Sequence, residues 1–492
     1  GGAQCDHQNK MTAMRCRVSA YRLLLPLFAL AMHGCSLVTP YQPPIVVPAK
    51  DVWQDNELWQ EARPSDELPK GSWWRLFGDD TLNKLQEKIE RNNPTLAIAI
   101  ARFDQSTAYV RQLGAAQLPS VDADAGMTRN RQSDHRPLRN PNQPGFYNAN
   151  SISMLLNYEL DLWGRIRNSV AAGKAAAQAS AADLENTRLS LHALLAEYYI
   201  RLRNVDAQSK LLSESIQAFE KMLTLVENRH SGGIASGLDV ARAETQVNSV
   251  KAELSELKIQ RAIYEHAIAS LIGEPATSFT ISSAPNLDLI QAPKIPVGLP
   301  STLLQRRPDI ASAERKVEAA NASVGVARAA FFPAVSLGGT SIGYQNTSGS
   351  GWLTAPNLFW SIGPRAVLNI FDRKLRQSQV DQAKAVLEQA GQEYRAVVLT
   401  AFQQVEDEMA RLKYLKQQIA EQTAAAISAH KAEILAKYRY QNGAVAYLEV
   451  TTAQTVALQA DRGLLALRTQ SLVASVGLIR GLGGGWSKSN LM

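Results

Sequence analysis

The 492-residue sequence has three cysteines, seven histidines and only 7% aromatic residues. Each shortage excludes something. Cys5 and Cys16 precede the apolar run LLLPLFALAM and fall in what reads as a removable leader. Cys35 then stands alone in the mature chain, and no disulfide framework is available to it. No histidine sits at metal-ligand spacing from a cysteine or carboxylate. There is no paired nucleophile and base either, so the sequence points to no metal, no cofactor and no enzyme. The formal net charge is +7, but no basic run is interleaved with aromatics, which argues against nucleic acid as a partner. Past residue 35 no window holds eighteen consecutive apolar residues, so no transmembrane helix is expected. A chain of this kind crosses a membrane only as a β-barrel.

What is present begins with the leader. Read from Met11 or Met14, the basic MRCRVSAYR precedes LLLPLFALAM and then HGC. A basic segment, a short apolar segment and a small residue before a cysteine make a secretory signal, so residues 1–34 are expected to be removed. The LAMHGC stretch resembles a bacterial lipobox, which makes Cys35 the candidate for lipidation.

The rest of the chain is written twice. Asn93-Pro94 opens a helical stretch that ends at Leu118-Pro119, and Arg307-Pro308 opens another that ends at Phe332-Pro333. LDLWGRIR at 160–167 pairs with LNIFDRKLR at 368–376, and GGIASGLDV at 232–240 with NGAVAYLEV at 442–450. The offsets are 214, 208 and 210, in the same order along the chain. Each half has one grammar: a helix, two strand-like segments around a polar loop, a very long helix, a glycine turn and a second helix.

The strand segments lie near 119–130, 151–163, 333–345 and 358–371. In 151–162 the set Ile152, Met154, Leu156, Tyr158, Leu160, Leu162 alternates with Ser151, Ser153, Leu155, Asn157, Glu159, Asp161. Aliphatics on one face and carboxylates on the other suit a barrel wall with lipid outside and water inside. Pro364 sits awkwardly inside the fourth segment, and 335–345 changes phase midway, as a bulge causes. Four strands cannot close a barrel, so a membrane reading demands an oligomer; three chains give twelve strands.

From Arg165 to about Arg229 there is no proline. Leu184, Leu191, Leu195, Tyr198, Leu202, Val205, Leu212, Ile216, Phe219, Leu223 and Val226 form a heptad seam, the signature of a coiled coil. At ~1.5 Å per residue such a helix is on the order of 100 Å long. Residues 375–440 repeat the theme. The Trp163-Gly164-Arg165 corner is where strand pattern becomes helix pattern.

These features, with WWRLFGDDTLNKL, YELDLWGR, SGLDVARAETQ, LLQRRPDI, FFPAVSL and the terminal GLGGGW, resemble the TolC-like outer-membrane factor family over 35–492. The match is to its lipoprotein branch of OprM and NodT type. The resemblance implies a homotrimer with a twelve-stranded transmembrane β-barrel continuous with an α-helical coiled-coil tunnel. It implies a passive exit duct for drugs or other small molecules, anchored by lipid in the outer membrane and extending into the periplasm. A periplasmic adaptor (membrane fusion) protein and an inner-membrane RND-type transporter are the implied partners. A type I protein-secretion duct is the alternative.

The expected organisation is a signal region (1–34), a lipidated and equatorial segment (35–92), a first repeat (93–272), a linker (273–306), a second repeat (307–482) and a tail (483–492). The hairpin tips fall near 229–238 and 438–448. By resemblance these tips close the pore and meet the adaptor, with Arg229, Gly233, Leu238, Gly443 and Leu448 as contacts. Asp239 and Glu449 occupy equivalent repeat positions just after the tips, where three copies would ring the axis with carboxylates. Thr452 lies where some members carry a second acid. Tyr440 matches a tyrosine that helps to hold the tips shut in some members, while the place of its usual basic partner is taken by Val445. The Arg306-Arg307-Pro308-Asp309 cluster reads as a helix start.

Overall fold

The computed structural model describes residues 38, 40, 41, 72–137, 140, 142–285, 290, 293, 295, 307–347, 351 and 353–486. The signal region, Cys35, most of the 273–306 linker and residues 487–492 of the tail lie outside the described residues. The chain divides into two compact units, one of residues 1–44, 105–178 and 314–392, the other of 45–104, 179–313 and 393–492.

In chain order, the first repeat holds α1 (Asp80–Asn92), α2 (Pro94–Ala115), β1 (Ser120–Arg131), β2 (Phe146–Asn157), β3 (Glu159–Leu160), α3 (Arg165–Ser231) and α4 (Gly237–Leu271). The second holds α5 (Pro308–Ala329), β4 (Ala334–Ser336), β5 (Thr340–Asn346), β6 (Leu358–Ser361), β7 (Arg365–Val367), α6 (Arg373–Gln441) and α7 (Tyr447–Gly481). The duplication shows in the helix lengths: α2 and α5 are both 22 residues, α4 and α7 both 35, and the long α3 and α6 are 67 and 69. Proline opens α2 and α5 because the first helical N–H needs no partner.

The first unit contains both sheets. One has the order β1-β2-β5-β6 and the other β3-β4-β7. All the pairings are antiparallel. Register puts Ala123, Met154, Ile342 and Trp360 in one row across four strands, and Ala125, Ile152, Tyr344 and Leu358 in the next. Directly opposed residues share a face, so these rows make one apolar surface. Its large members Ile152, Met154, Ile342, Leu358 and Trp360 are exposed. The other face carries Asp122, Asp124, Ser153, Ser341 and Ser361, together with Gly343 and the apolar Leu155 and Phe359. Gly343 lets β5 approach β2, since a β-carbon there would lie 2.7 Å from the Ser153 Cα.

Three of the four expected strands are interrupted. The second begins five residues earlier than its alternation indicated, because Phe146–Asn150 still pairs with 127–131. The third breaks at Leu337–Gly339, where Gly339 takes a positive φ of 75°, and this break is the phase change in the sequence. The fourth splits around Pro364, which has no N–H for a ladder, and strand pairing ends at Val367, not at 371.

In the second unit the heptad seam is real: Leu195, Leu202, Val205, Leu212 and Val226 of α3 are almost wholly buried. Near the chain's start the core widens. Trp73, Trp74 and Phe77 of a short 3-10 turn, with Leu82, Leu85 and Ile89 of α1, pack against Leu195, Tyr199 and Ile200 of α3 and Ile268 of α4. Burying each such side chain contributes roughly 1.5–3 kcal/mol. Within this core His192 presents Nδ1 to Gln86 Oε1 (2.5 Å) and Nε2 to Glu90 Oε1 (2.9 Å) and stacks on Trp74. The hydrogen bond to His192 is the main reason the Glu90 carboxyl is held below the usual carboxylate range. Arg307 pairs with Asp309 (2.6 Å) and donates to Gln404 Oε1 and the Gly481 carbonyl, so it fastens the start of α5 to the end of α7. That is a structural role, as the helix-start reading of the cluster expected.

Candidate functional site at the hairpin tips

The two tips are built by the same backbone device. After α3, the N–H of Ile234 returns to the Arg229 carbonyl at 2.8 Å; after α6, the N–H of Ala444 returns to the Arg439 carbonyl at 2.8 Å. Gly233 and Gly443 carry φ of 76° and 73°, the left-handed conformation that ends a helix in this way. The turns are shorter than the sequence indicated, since the helices run on to Ser231 and Gln441.

The next helices start differently. Ser236 caps α4: its Oγ accepts from the Asp239 N–H (3.2 Å), and Asp239 Oδ2 accepts from the Ser236 N–H (3.3 Å) and hydroxyl (2.8 Å). Asp239 is thus engaged in a capping box. At α7 the cap position is Ala446, with no side-chain cap bond. Glu449, the repeat mate of Asp239, is therefore not drawn into capping. Its Oε2 lies 3.7 Å from Arg439 Nη1, with the two side chains 55% and 57% exposed. An ion pair this open contributes little. Thr452 bonds back to its own helix at the Leu448 carbonyl (2.8 Å).

Arg229 joins the two hairpins. It donates from Nη1 to the Tyr440 carbonyl (2.8 Å) and from Nη2 to the Gln441 carbonyl (2.7 Å). Its guanidinium also lies over the Tyr440 ring, 4.6 Å from the centroid. The last carbonyls of α6 have no partner within that helix, so an arginine from the other hairpin completes the helix end. Tyr440 contributes its carbonyl and its ring; its hydroxyl is buried without a hydrogen-bond partner among the described residues. The ring packs at 5.5 Å on Tyr447, within a cluster of Met222, Val226, Ala243 and Val450. Burial, with the nearby Tyr440 and Asp239, pushes the Tyr447 hydroxyl up to about 12.

Sequence reasoning did not single out Arg439 or Tyr447. Arg439 could have been found, because it matches Arg229 at the 210-residue offset of the tips. Leu238 and Leu448, from different hairpins, are both exposed and line one groove of about 530 Å³ between α4 and α7, with Arg242, Gln246 and an Arg462–Glu253 pair further along it. Higher up the second hairpin, His430 Nε2 of α6 meets both Asp461 oxygens of α7 at 2.9–3.0 Å. No group of residues that could hold a metal ion occurs among the described residues.

Comparison with known proteins extends this picture. The family model described as outer membrane efflux protein matches residues 85–274 and 299–484. The chain is 32% identical to the pyoverdine export outer membrane protein OpmQ of Pseudomonas aeruginosa, over 86% of this chain and 89% of that one. It is 30% identical to the outer membrane protein OprJ of the same species, over 96% and 97%. The fold matches the crystal structure of the Campylobacter jejuni CmeC outer membrane channel with a TM-score of 0.83, at 25% identity, covering 92% of this chain and 96% of that one.

Proposed function

Since the chain belongs to the outer membrane efflux protein family, we propose that its hairpin tips are the closable end of an exit duct, held shut by Arg229 and lined by Glu449. The protein is an outer-membrane channel of an efflux pump and performs no chemistry of its own. The observation that carries the channel reading is the four-stranded sheet. It has an exposed apolar face, a mostly polar opposite face and, among the described residues, two unpaired edges, β1 and β6. An edge of that kind is not tolerated in lipid, and three copies joined edge to edge remove it as a twelve-stranded barrel. The apolar rows then face lipid, and Asp122 and Asp124 face water.

Lipidation at Cys35 supplies a second hold on the membrane. A periplasmic adaptor docks at the tips, where Leu238 and Leu448 offer apolar contact at the mouth of the groove beside Gly233 and Gly443, and an RND-type transporter feeds the duct. Export of small molecules is favoured over protein secretion, because relatives are named for pyoverdine and toluene. The transporter sets which molecules pass.

Fractionation of cells producing the full chain tests this. The protein is expected in the outer membrane as an oligomer that survives unboiled gels and falls to monomer on heating. A wholly soluble monomer contradicts the reading.

A further inference from the structure

The chain makes one strand-to-helix corner contact, and its duplicated partner stands bare. Trp163, at the end of the first repeat's strands, stacks on Phe332 at 4.6 Å and donates from Nε1 to the Pro333 carbonyl (2.9 Å). The contact thus runs from the end of repeat one to the start of repeat two. Duplication supplies the same parts in the opposite sense. The helices that follow the corners start at Arg165 and Arg373, an offset of 208 that makes Phe371 the mate of Trp163. The turns that precede the strands carry the same three backbone bonds at an offset of 214: from residues 116, 117 and 118 in one repeat and 330, 331 and 332 in the other. Leu118–Pro119 is therefore the mate of Phe332–Pro333.

Both mates are uncovered. Phe371 is 100% exposed and Leu118 is 69% exposed. Ile370 and Leu368 beside Phe371 are exposed as well, whereas their mates Leu162 and Leu160 are half-buried. Among the described residues, the outer edges of β7 and β1, which adjoin these corners, are also unpaired. A fully exposed phenylalanine and a bare leucine-proline corner, beside two open edges, are the two halves of this contact left unjoined within one copy.

We infer that Phe371 packs against the Leu118–Pro119 corner of a second copy of this chain. The inference rests on the oligomeric duct reading and adds to it the specific joint at which neighbours lock. In a closed ring, the end of repeat two of each copy meets the start of repeat one of the next, so every strand-to-helix corner is filled. The two kinds of corner are not equal. Tryptophan donates a hydrogen bond to the proline carbonyl, and phenylalanine has no N–H to donate. The joint between copies is apolar only, which makes it the weaker one.

Photocrosslinking tests the joint: p-benzoylphenylalanine is placed at position 371 of the full chain and irradiated in outer-membrane vesicles. Covalent dimers and trimers are expected, with the adduct mapping to the peptide that holds Leu118–Pro119. The same probe at position 163 is expected to give an adduct at Phe332–Pro333 with monomer mobility. An intact trimer whose position-371 probe links only to lipid, or to nothing, overturns the inference and leaves the duct standing. Absence of any oligomer on an unboiled gel overturns the duct reading itself. Phe371→Trp restores the donor and is expected to raise the temperature at which the oligomer dissociates, and Phe371→Ala to lower it by several degrees. A dissociation temperature that moves in neither variant contradicts the inference.

Discussion

Arg229 and Arg439 occupy equivalent places in the two repeats, yet one completes a helix end in the other hairpin and the other faces Glu449. Position along the repeat was legible in the sequence; the neighbour each arginine reaches was not, because it depends on which hairpin lies beside it. Replacing Arg229 with alanine takes the guanidinium donor from the Gln441 carbonyl and leaves the Tyr440 carbonyl only the Gly443 N–H, at a cost of about 1–3 kcal/mol. Lysine keeps the charge but cannot fork to both carbonyls, so Arg229→Lys is expected to recover only part. Hydrogen exchange at the last turn of α6 is expected to speed up in Arg229→Ala, and unchanged exchange contradicts the assignment. His430 offers a separate test. Burial works against its charged form, but hydrogen bonding and charge from Asp461, and then Glu433, outweigh it and raise its pKa above the usual 6.5. A group whose folded pKa is raised stabilises the fold below its unfolded value and loses that contribution as pH rises through the folded value. The wild type is therefore expected to gain thermal stability over His430→Gln at pH 5.5 and to lose the advantage by pH 8.5. An advantage that does not change between those pH values removes His430 from the account.

The elements divide into those that a repeating pattern dictates and those that single residues interrupt. The long helices were legible because a heptad of apolar residues serves one function along its whole length, and α3 buries that seam as the spacing required. The strands were legible as four alternating segments. Their breaks were only partly so, since Pro364 announces itself and the break at Gly339 shows only as a change of phase. Residues 146–150 were missed because the ladder runs on past the alternating aliphatic segment, through Phe146-Tyr147-Asn148-Ala149-Asn150. The sheet also gives a prediction at its tightest point. Gly343→Val forces a side chain against the Ser153 backbone and is expected to abolish the oligomer, whereas Gly126→Ala meets only the Ser151 hydroxyl at 3.4 Å and is expected to be tolerated. Heat-modifiable gels of membrane fractions distinguish the two, and an intact Gly343→Val oligomer contradicts the β2–β5 approach described above. At the tips, Gly443→Ala places a β-carbon at a φ of 73°, a strain of roughly 1–2 kcal/mol, so a modest loss of thermal stability is expected.

At the scale of the molecule, duplication is the fact from which most else follows. It gives two hairpins whose tips share a backbone and differ in side chains, so one carboxylate caps a helix and its mate is left open. It gives two corners, one filled within the chain and one waiting for a neighbour. It also gives sheet edges that a single copy leaves unpaired. The central claim is that the tips form a closed end, latched by Arg229 and ringed by Glu449. Single-channel conductance in planar lipid bilayers, on the wild type, Arg229→Ala and Glu449→Ala, tests it most directly. The wild type is expected to show a small, cation-selective conductance. Arg229→Ala is expected to enlarge it by loosening the join between hairpins, and Glu449→Ala to lose cation selectivity. Conductance and selectivity in both variants that match the wild type would contradict the claim.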